Sequence, residues 1–241
     1  MTTLRSFAVP ALVGLILLGG PRATRAADTP AAKPPPPGID ASPSLKVARS
    51  ASVALKPDGF LSRWWVLEPM PGDGRVTDSA IRAAAEKTYF PDQLAILPRA
   101  GETVTVSDAR YTWHAVDSSR HNVNLYHFAY FLGKETSNVV FWGVTVVDSP
   151  EEIAGARLAV GSNAGSVWWV NGREVVGIYG DRQTQIDDGI SKKLTLRKGP
   201  NVVRCLIVNN RGMVDFCARF LDADDNPIAR LTHVAPAAAS P

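Results

Sequence analysis

The 241-residue sequence is 45% hydrophobic and 20% charged, with 26 basic and 23 acidic residues, an ordinary composition for one or at most two globular domains. That excludes a collagen-like chain, a coiled coil and a wholly disordered polymer. The formal charge of +3 hints at an anionic partner, but the first 26 residues carry all of it.

Arg5 precedes an apolar run from Phe7 to Gly20, and Thr24-Arg25-Ala26 sets small residues at the −3 and −1 positions before Ala27. This is the pattern of a secretory signal peptide over 1–26. A membrane-spanning helix needs about 20 apolar residues, and this run is shorter and interrupted by Pro10 and Pro21. Cleavage would take Arg5, Arg22 and Arg25 and no acidic residue, leaving 23 basic residues against 23 acidic. The expected mature chain is therefore formally neutral, secreted or periplasmic, without an integral membrane span and without the basic footprint of a nucleic-acid binder. Residues 27–57 hold Pro30, the run Pro34 to Pro37, Gly38, Pro43 and Pro57 among Ala, Ser and Lys. So little apolar surface predicts a stiff, disordered linker. Residues 234–241 read as a disordered tail, which leaves 58–233 as the folding domain.

Within that domain the candidate strands are 61–67, 103–106, 110–116, 123–131, 139–147, 156–160, 167–170, 173–178, 193–196, 202–208, 214–221 and 227–231. They are short, rich in Val and aromatic residues, and separated by Gly, Asn, Asp and Pro turns. One helix is predicted over 79–87, with Asp78 as its N-cap and Ala83-Ala84-Ala85 favouring helix. Helices between successive strands are missing, so the expected fold class is all-β, an antiparallel β-sandwich with one short helix near its N-terminal side.

Asn171-Gly172 supplies the two φ > 0 residues of a type I′ turn, so 167–176 is predicted as a hairpin. Alternation sets Trp168 and Val170 on one face and Val167 and Trp169 on the other. With one face solvated, only one of these tryptophans would reach the core. A second hairpin is expected to join 202–208 to 214–221 through 209–212. Cys205 and Cys217 fall in these two strands, where export would permit a disulfide. Cys205 alternates with apolar Val203 and Ile207, whereas Cys217 alternates with Asp215 and Arg219. Two sulfurs on opposite faces cannot pair, so free thiols are expected.

Several segments carry a family resemblance. Trp65-Val66-Leu67-Glu68-Pro69-Met70 resembles the W-x-x-L-G-P-F opening strand of the galactose-binding-domain-like jelly rolls attached to secreted bacterial acetylxylan esterases and other carbohydrate-active or polymer-degrading enzymes. The run from Gly161 to Gly172 (GSNAGSVWWVNG) is similar to that group's G-S-D-D-G-x-x-V-W-x-N-G, and Leu194 to Val203 (LTLRKGPNVV) to its V-x-L-x-K-G-x-N-x-L. Phe216 and Arg219 fit its F-x-x-R. The resemblance implies a jelly roll that works as a noncatalytic accessory module for glycans. Glu68 departs from it by standing where glycine is usual, and Asn163-Ala164 replaces an acidic pair, so no role of that pair is carried over.

Among six tryptophans, Trp169 is the candidate for stacking on a sugar ring, because its face is opposite to the Trp168 set at an accessible hairpin. Arg173, Asp181, Arg182 and Gln183 lie on or just after the same hairpin and are the candidate partners for sugar hydroxyls. Core packing is the competing reading for every tryptophan, and solvated loop polarity for the others. No metal or other cofactor is expected. Asp222-Ala223-Asp224-Asp225-Asn226 begins like a calcium loop but has Pro227 where the sharp glycine turn belongs, which leaves a nonstandard calcium site with Asp187 or Asp188 as the alternative. His114, His121 and His127 lack zinc-site spacing. No nucleophile elbow or phosphate loop occurs, no catalytic residue is assigned, and the polar groups left over are Glu86, Asp117 and His121. Three readings stay open: an exported noncatalytic module that recognises extracellular polysaccharide through a loop end of the sandwich, a protein-interaction or scaffold module with an extracellular protein partner, and, with least support, a hydrolase.

Overall fold

A computed structural model describes residues 35–235; the expected signal peptide, the first part of the linker (27–34) and tail residues 236–241 lie outside the described residues. The strands are β1 (Leu45–Val47), β2 (Ser52–Ala54), β3 (Arg63–Leu67), β4 (Met70–Pro71), β5 (Thr103–Val106), β6 (Ala109–Ser118), β7 (Val123–Asn124), β8 (Val139–Ser149), β9 (Ile153–Ser162), β10 (Gly165–Val170), β11 (Arg173–Ile178), β12 (Gly189–Ile190), β13 (Leu194–Leu196), β14 (Gly199–Asn209), β15 (Asp215–Leu221) and β16 (Thr232–Val234). Two α-helices, α1 (Asp78–Glu86) and α2 (Leu125–Phe131), and a short 3-10 helix over Ile39–Ala41 complete the set among the described residues. The large sheet runs β1-β6-β3-β8-β14-β10-β11, with β2, β4, β5 and β16 paired onto it. The small one runs β12-β9-β15-β7 with β13 alongside β9. The fold is an antiparallel all-β sandwich, as the sequence predicts.

The large sheet is buried on both faces, which is why its central strands read as continuous apolar runs rather than as alternation. One face sends Trp64, Val66, Phe141, Trp168, Val203 and Ile207 toward Leu158, Val160, Phe216, Ala218 and Phe220 of the small sheet. The other sends Trp65, Leu67, Trp142, Val144, Trp169 and Leu206 toward Ile81 of α1 and toward Tyr89 and Phe90 in the segment after it. Each Trp-Trp pair is thus divided between two cores, and all six indoles are buried. The expectation that only one of Trp168 and Trp169 is inside fails, because α1 and residues 88–97 cover the face assumed to be solvated.

Four further expectations are corrected. Residues 39–55 are not linker: β1 pairs with β6, β2 pairs with β16, and Ile39, Leu45 and Leu55 are buried. Arg63 clamps this arm, giving hydrogen bonds to Asp117 at 2.7 Å and to the Ser50 carbonyl at 2.8 Å. Residues 123–131 form a two-residue strand followed by α2, because the Asn124 side chain accepts from the His127 amide and caps a helix. The N-cap of α1 is Thr77, whose hydroxyl accepts from the Ala80 amide, not Asp78. β14 and β15 form no hairpin, since they belong to different sheets and residues 210–214 cross between them. Cys205 therefore faces the space between the sheets, while Cys217 lies on the outer side of the small sheet next to Gly161. Both are free thiols. The separation of the sulfurs agrees with the sequence, but its premise of neighbouring strands does not.

Candidate functional site

The site begins at the Asn171-Gly172 turn, where φ is +51° and +80°, the type I′ geometry that the dipeptide predicts. Val170 pairs with Arg173, and the register shifts between Trp168 and Trp169 so that Val175 is extra on β11, a bulge that turns the strand as it leaves the hairpin. The turn is braced from the side. Asn171 donates to the Asn201 side chain at 3.0 Å and accepts from the Val202 amide at 2.9 Å, while Asn201 holds the Arg197 amide and carbonyl of the β13–β14 connection.

Among the described residues, β11 pairs only with β10, and β13 only with β9. The outer edges of both strands, one from each sheet, line a single groove of about 910 Å³. Its apolar floor is Val170, Val175, Val176 and Leu194, and its polar rim is formed by Arg173, Glu174, Tyr179, Lys192, Lys193 and Thr195. Among the described residues, neither Arg173 nor the two lysines form an ion pair. The Tyr179 hydroxyl donates to Glu174 at 3.2 Å, and burial followed by the Glu174 charge raises its pKa, so it remains a protonated donor. Arg82, itself held by Asp78 at 2.9 Å, covers the Tyr179 ring with its guanidinium 3.8 Å from the centroid. One oxygen of Glu174 is thereby engaged and the other is left as an acceptor.

Tyr179 and Glu174 also border a second, smaller cleft of about 350 Å³, closed on its other sides by Arg82 and Glu86 of α1 and by Gln93 and Leu94, with Trp169 as its base. Trp169 is 4% exposed; its ring stacks on Trp142 and offers no open face to a sugar.

The five residues singled out in the sequence do not converge. Arg173 lines the groove and Trp169 the smaller cleft. Asp181, Arg182 and Gln183 are exposed on a segment fastened to the outer side of the small sheet. Thr184 donates to the Asp215 carboxylate, Asp187 pairs with Arg219, Arg182 pairs with Asp188 at 3.0 Å, and the Arg182 carbonyl accepts from the Ala164 amide. The groove's own residues Glu174, Tyr179, Lys192, Lys193 and Thr195 had not been singled out. Their one sequence signal is the cationic pair Lys192-Lys193 opening a short strand; nothing in linear spacing brings it beside the hairpin.

The other polar clusters are closed on themselves. Buried Glu68 accepts from the Thr112 amide and the Lys134 ammonium, each at 3.2 Å, and faces His114 Nε2 at 3.4 Å. Burial pulls the His114 pKa down against the opposing pull of Glu68. Asp117 is committed to Arg63, His121 rests against Phe60 with centroids 5.5 Å apart, and Glu86 stands at the rim of the smaller cleft, so these three share no cleft. Asp222 accepts from the amides of Asp224 and Asn226, shaping a turn. Among the described residues, no group of three or more His, Cys, Asp or Glu is arranged to hold a metal, and no helix is long and apolar enough to cross a membrane.

No family model and no curated protein matches the chain. Solved structures similar to it include a PA14 sugar-binding domain from an RTX adhesin, at TM-score 0.42 and 11% identity over 72% of this chain and 97% of that one. The PA14 domain of the MpAFP antifreeze protein gives TM-score 0.44 and 12% identity over 81% and 98% of the two chains. A β-glucosidase from Kluyveromyces marxianus in complex with glucose gives TM-score 0.38 and 16% identity over 75% of this chain and 20% of that one.

Proposed function

We propose that the chain is an exported, noncatalytic binding module of the galactose-binding-like kind, which recognises extracellular carbohydrate in the groove between β11 and β13. The observation that carries this reading is the composition of that groove. An apolar floor suits the C–H faces of pyranose rings, while a rim of Arg173, Glu174, Tyr179, Lys192, Lys193 and Thr195 supplies donors and acceptors for hydroxyls. Recognition runs along the open side of the sandwich and rests on hydrogen bonds, not on tryptophan stacking. Glu174 is the groove's one carboxylate, whereas hydrolysis of the common two-carboxylate type needs a second acid about 5–10 Å away. Affinity electrophoresis of the mature chain through gels containing a panel of soluble polysaccharides tests the reading. Retardation that is lost in Tyr179→Ala and Glu174→Gln is expected, and no retardation by any polysaccharide would overturn it. The edges of β11 and β13 that have no strand partner among the described residues favour a second reading, addition of an extended peptide strand; a protein partner that stays bound after the glycans are digested would select it.

A further inference from the structure

We infer that the groove takes an acidic polysaccharide, a chain whose uronate carboxylates seat on Arg173, Lys192 and Lys193; this rests on the glycan reading of the same groove. The starting point is a charge imbalance that the near-neutral total conceals. From Gly189 to Val214 the chain carries Lys192, Lys193, Arg197, Lys198, Arg204 and Arg211 and no Asp or Glu. Two of these cations, with Arg173 from the facing strand, line the groove. Salt-bridged surface cations are common in this protein: Arg49, Arg75, Arg82, Arg182 and Arg230 all sit on carboxylates. Among the described residues the three in the groove do not, so their charge is available to a ligand.

The remaining lining narrows the class. A densely charged polyanion would bring a negative group against Glu174 on the rim, where repulsion is unfavourable. A uronate chain alternates carboxylates with stretches of hydroxyls, so it offers anions to the three cations and a hydroxyl donor to the free oxygen of Glu174. Arg173 presents the planar fork that matches a carboxylate in two hydrogen bonds, and Lys192 and Lys193 supply point charges. The apolar floor has no use for a second row of charges, but it accommodates the carbon faces of the rings.

The experiment compares polygalacturonate with the same polymer fully methyl-esterified, which keeps the backbone and removes the charge. Dextran sulfate and poly-glutamate serve as competitors, and the mature chain beginning at Ala27 is used throughout. Binding to the acid form that is at least about tenfold tighter than to the ester, and that weakens as salt is raised, is expected. The Lys192→Gln/Lys193→Gln variant changes two exposed side chains, so its melting temperature should match that of the wild type while its affinity for polygalacturonate falls about tenfold. Equal binding to acid and ester would overturn the inference and leave the glycan reading intact. No binding to either polymer or to any polysaccharide of the wider panel would remove the glycan reading itself. Poly-glutamate or dextran sulfate competing as well as polygalacturonate would overturn the assignment to uronates, the first in favour of an acidic peptide and the second in favour of sulfated polymers. An unchanged affinity in the double variant would overturn the role of the lysines.

Discussion

Trp169 lies stacked on Trp142, with ring centroids 5.4 Å apart and planes inclined by 19°, on the face of the large sheet that α1 and residues 88–97 cover. The pair holds a core together, and the cleft above it reaches only an edge. Trp169→Ala is therefore expected to cost about 3–5 kcal/mol of folding stability, the usual penalty for emptying a buried aromatic site. Urea unfolding measures this, and polysaccharide affinity of the fraction that stays folded should be unchanged. A variant of wild-type stability with lost affinity would return Trp169 to the binding surface.

His233 is fully buried, and its Nε2 accepts from the Ser62 amide at 3.1 Å, which leaves the proton on Nδ1 facing the Thr145 hydroxyl at 3.2 Å. Burial, and then the Arg63 charge, lower its pKa from 6.5 to about 4, against a smaller opposing effect of Asp117. The unfolded chain thus binds this proton at a higher pH than the folded one. The contribution to stability is complete above pH 6.5, declines as pH falls toward about 4, and is level below that, for a total of about 3 kcal/mol. Unfolding free energies measured across that window should show a decline in the wild type that is smaller by about 3 kcal/mol in His233→Gln, the remainder including the lowered pKa of His114. Parallel curves would refute the assignment.

Ala164 holds a φ of +89° and is buried, in a backbone region that glycine enters without strain. Ala164→Gly is expected to raise stability by about 1 kcal/mol, a net figure after the greater chain entropy of glycine is subtracted. A shift of the urea midpoint to lower concentration would contradict it.

A chain starting at Pro57 would lose β1 and β2 and the burial of Ile39, Leu45 and Leu55. At about 1.5–3 kcal/mol for each buried side chain, the melting temperature should fall by about 10 °C or more. An unaltered melting curve would restore residues 39–55 to the role of linker.

Cys205 and Cys217 should react with a thiol reagent only after unfolding, and reductant should leave the melting temperature unchanged. Burial raises both thiols, Cys217 to about 12 with the help of Asp187 and Asp215, so neither presents a thiolate at neutral pH. A peptide map containing a Cys205–Cys217 disulfide would refute this.

The hairpin was legible because its determinant is local: Asn171-Gly172 dictates its own backbone. The sandwich class was legible from many short β-branched runs without intervening helices. What escaped was decided by tertiary packing. Val139 to Ser149 has no polar face, a sign of burial on both sides, but only the covering by α1 and residues 88–97 shows that Trp169 is a core residue. The aromatic run in 125–131 favours strand by composition, and the Asn124 cap with contacts from the N-terminal arm outweighs it. Cys205 and Cys217 are twelve residues apart, a spacing that fits a hairpin as well as a crossing between sheets. The groove was illegible for the same reason, since Arg173 and Lys192 reach it from the edges of two different sheets.

Because one wall of that groove is an edge of the large sheet and the other an edge of the small one, its width follows from how the two sheets pack on each other. The slot acts as a gauge fixed by core packing rather than by loop conformation. On the proposed glycan reading, such a slot would take one unbranched strand lying lengthwise and exclude bushy side chains, so that linear shape would be selected before any hydrogen bond is made.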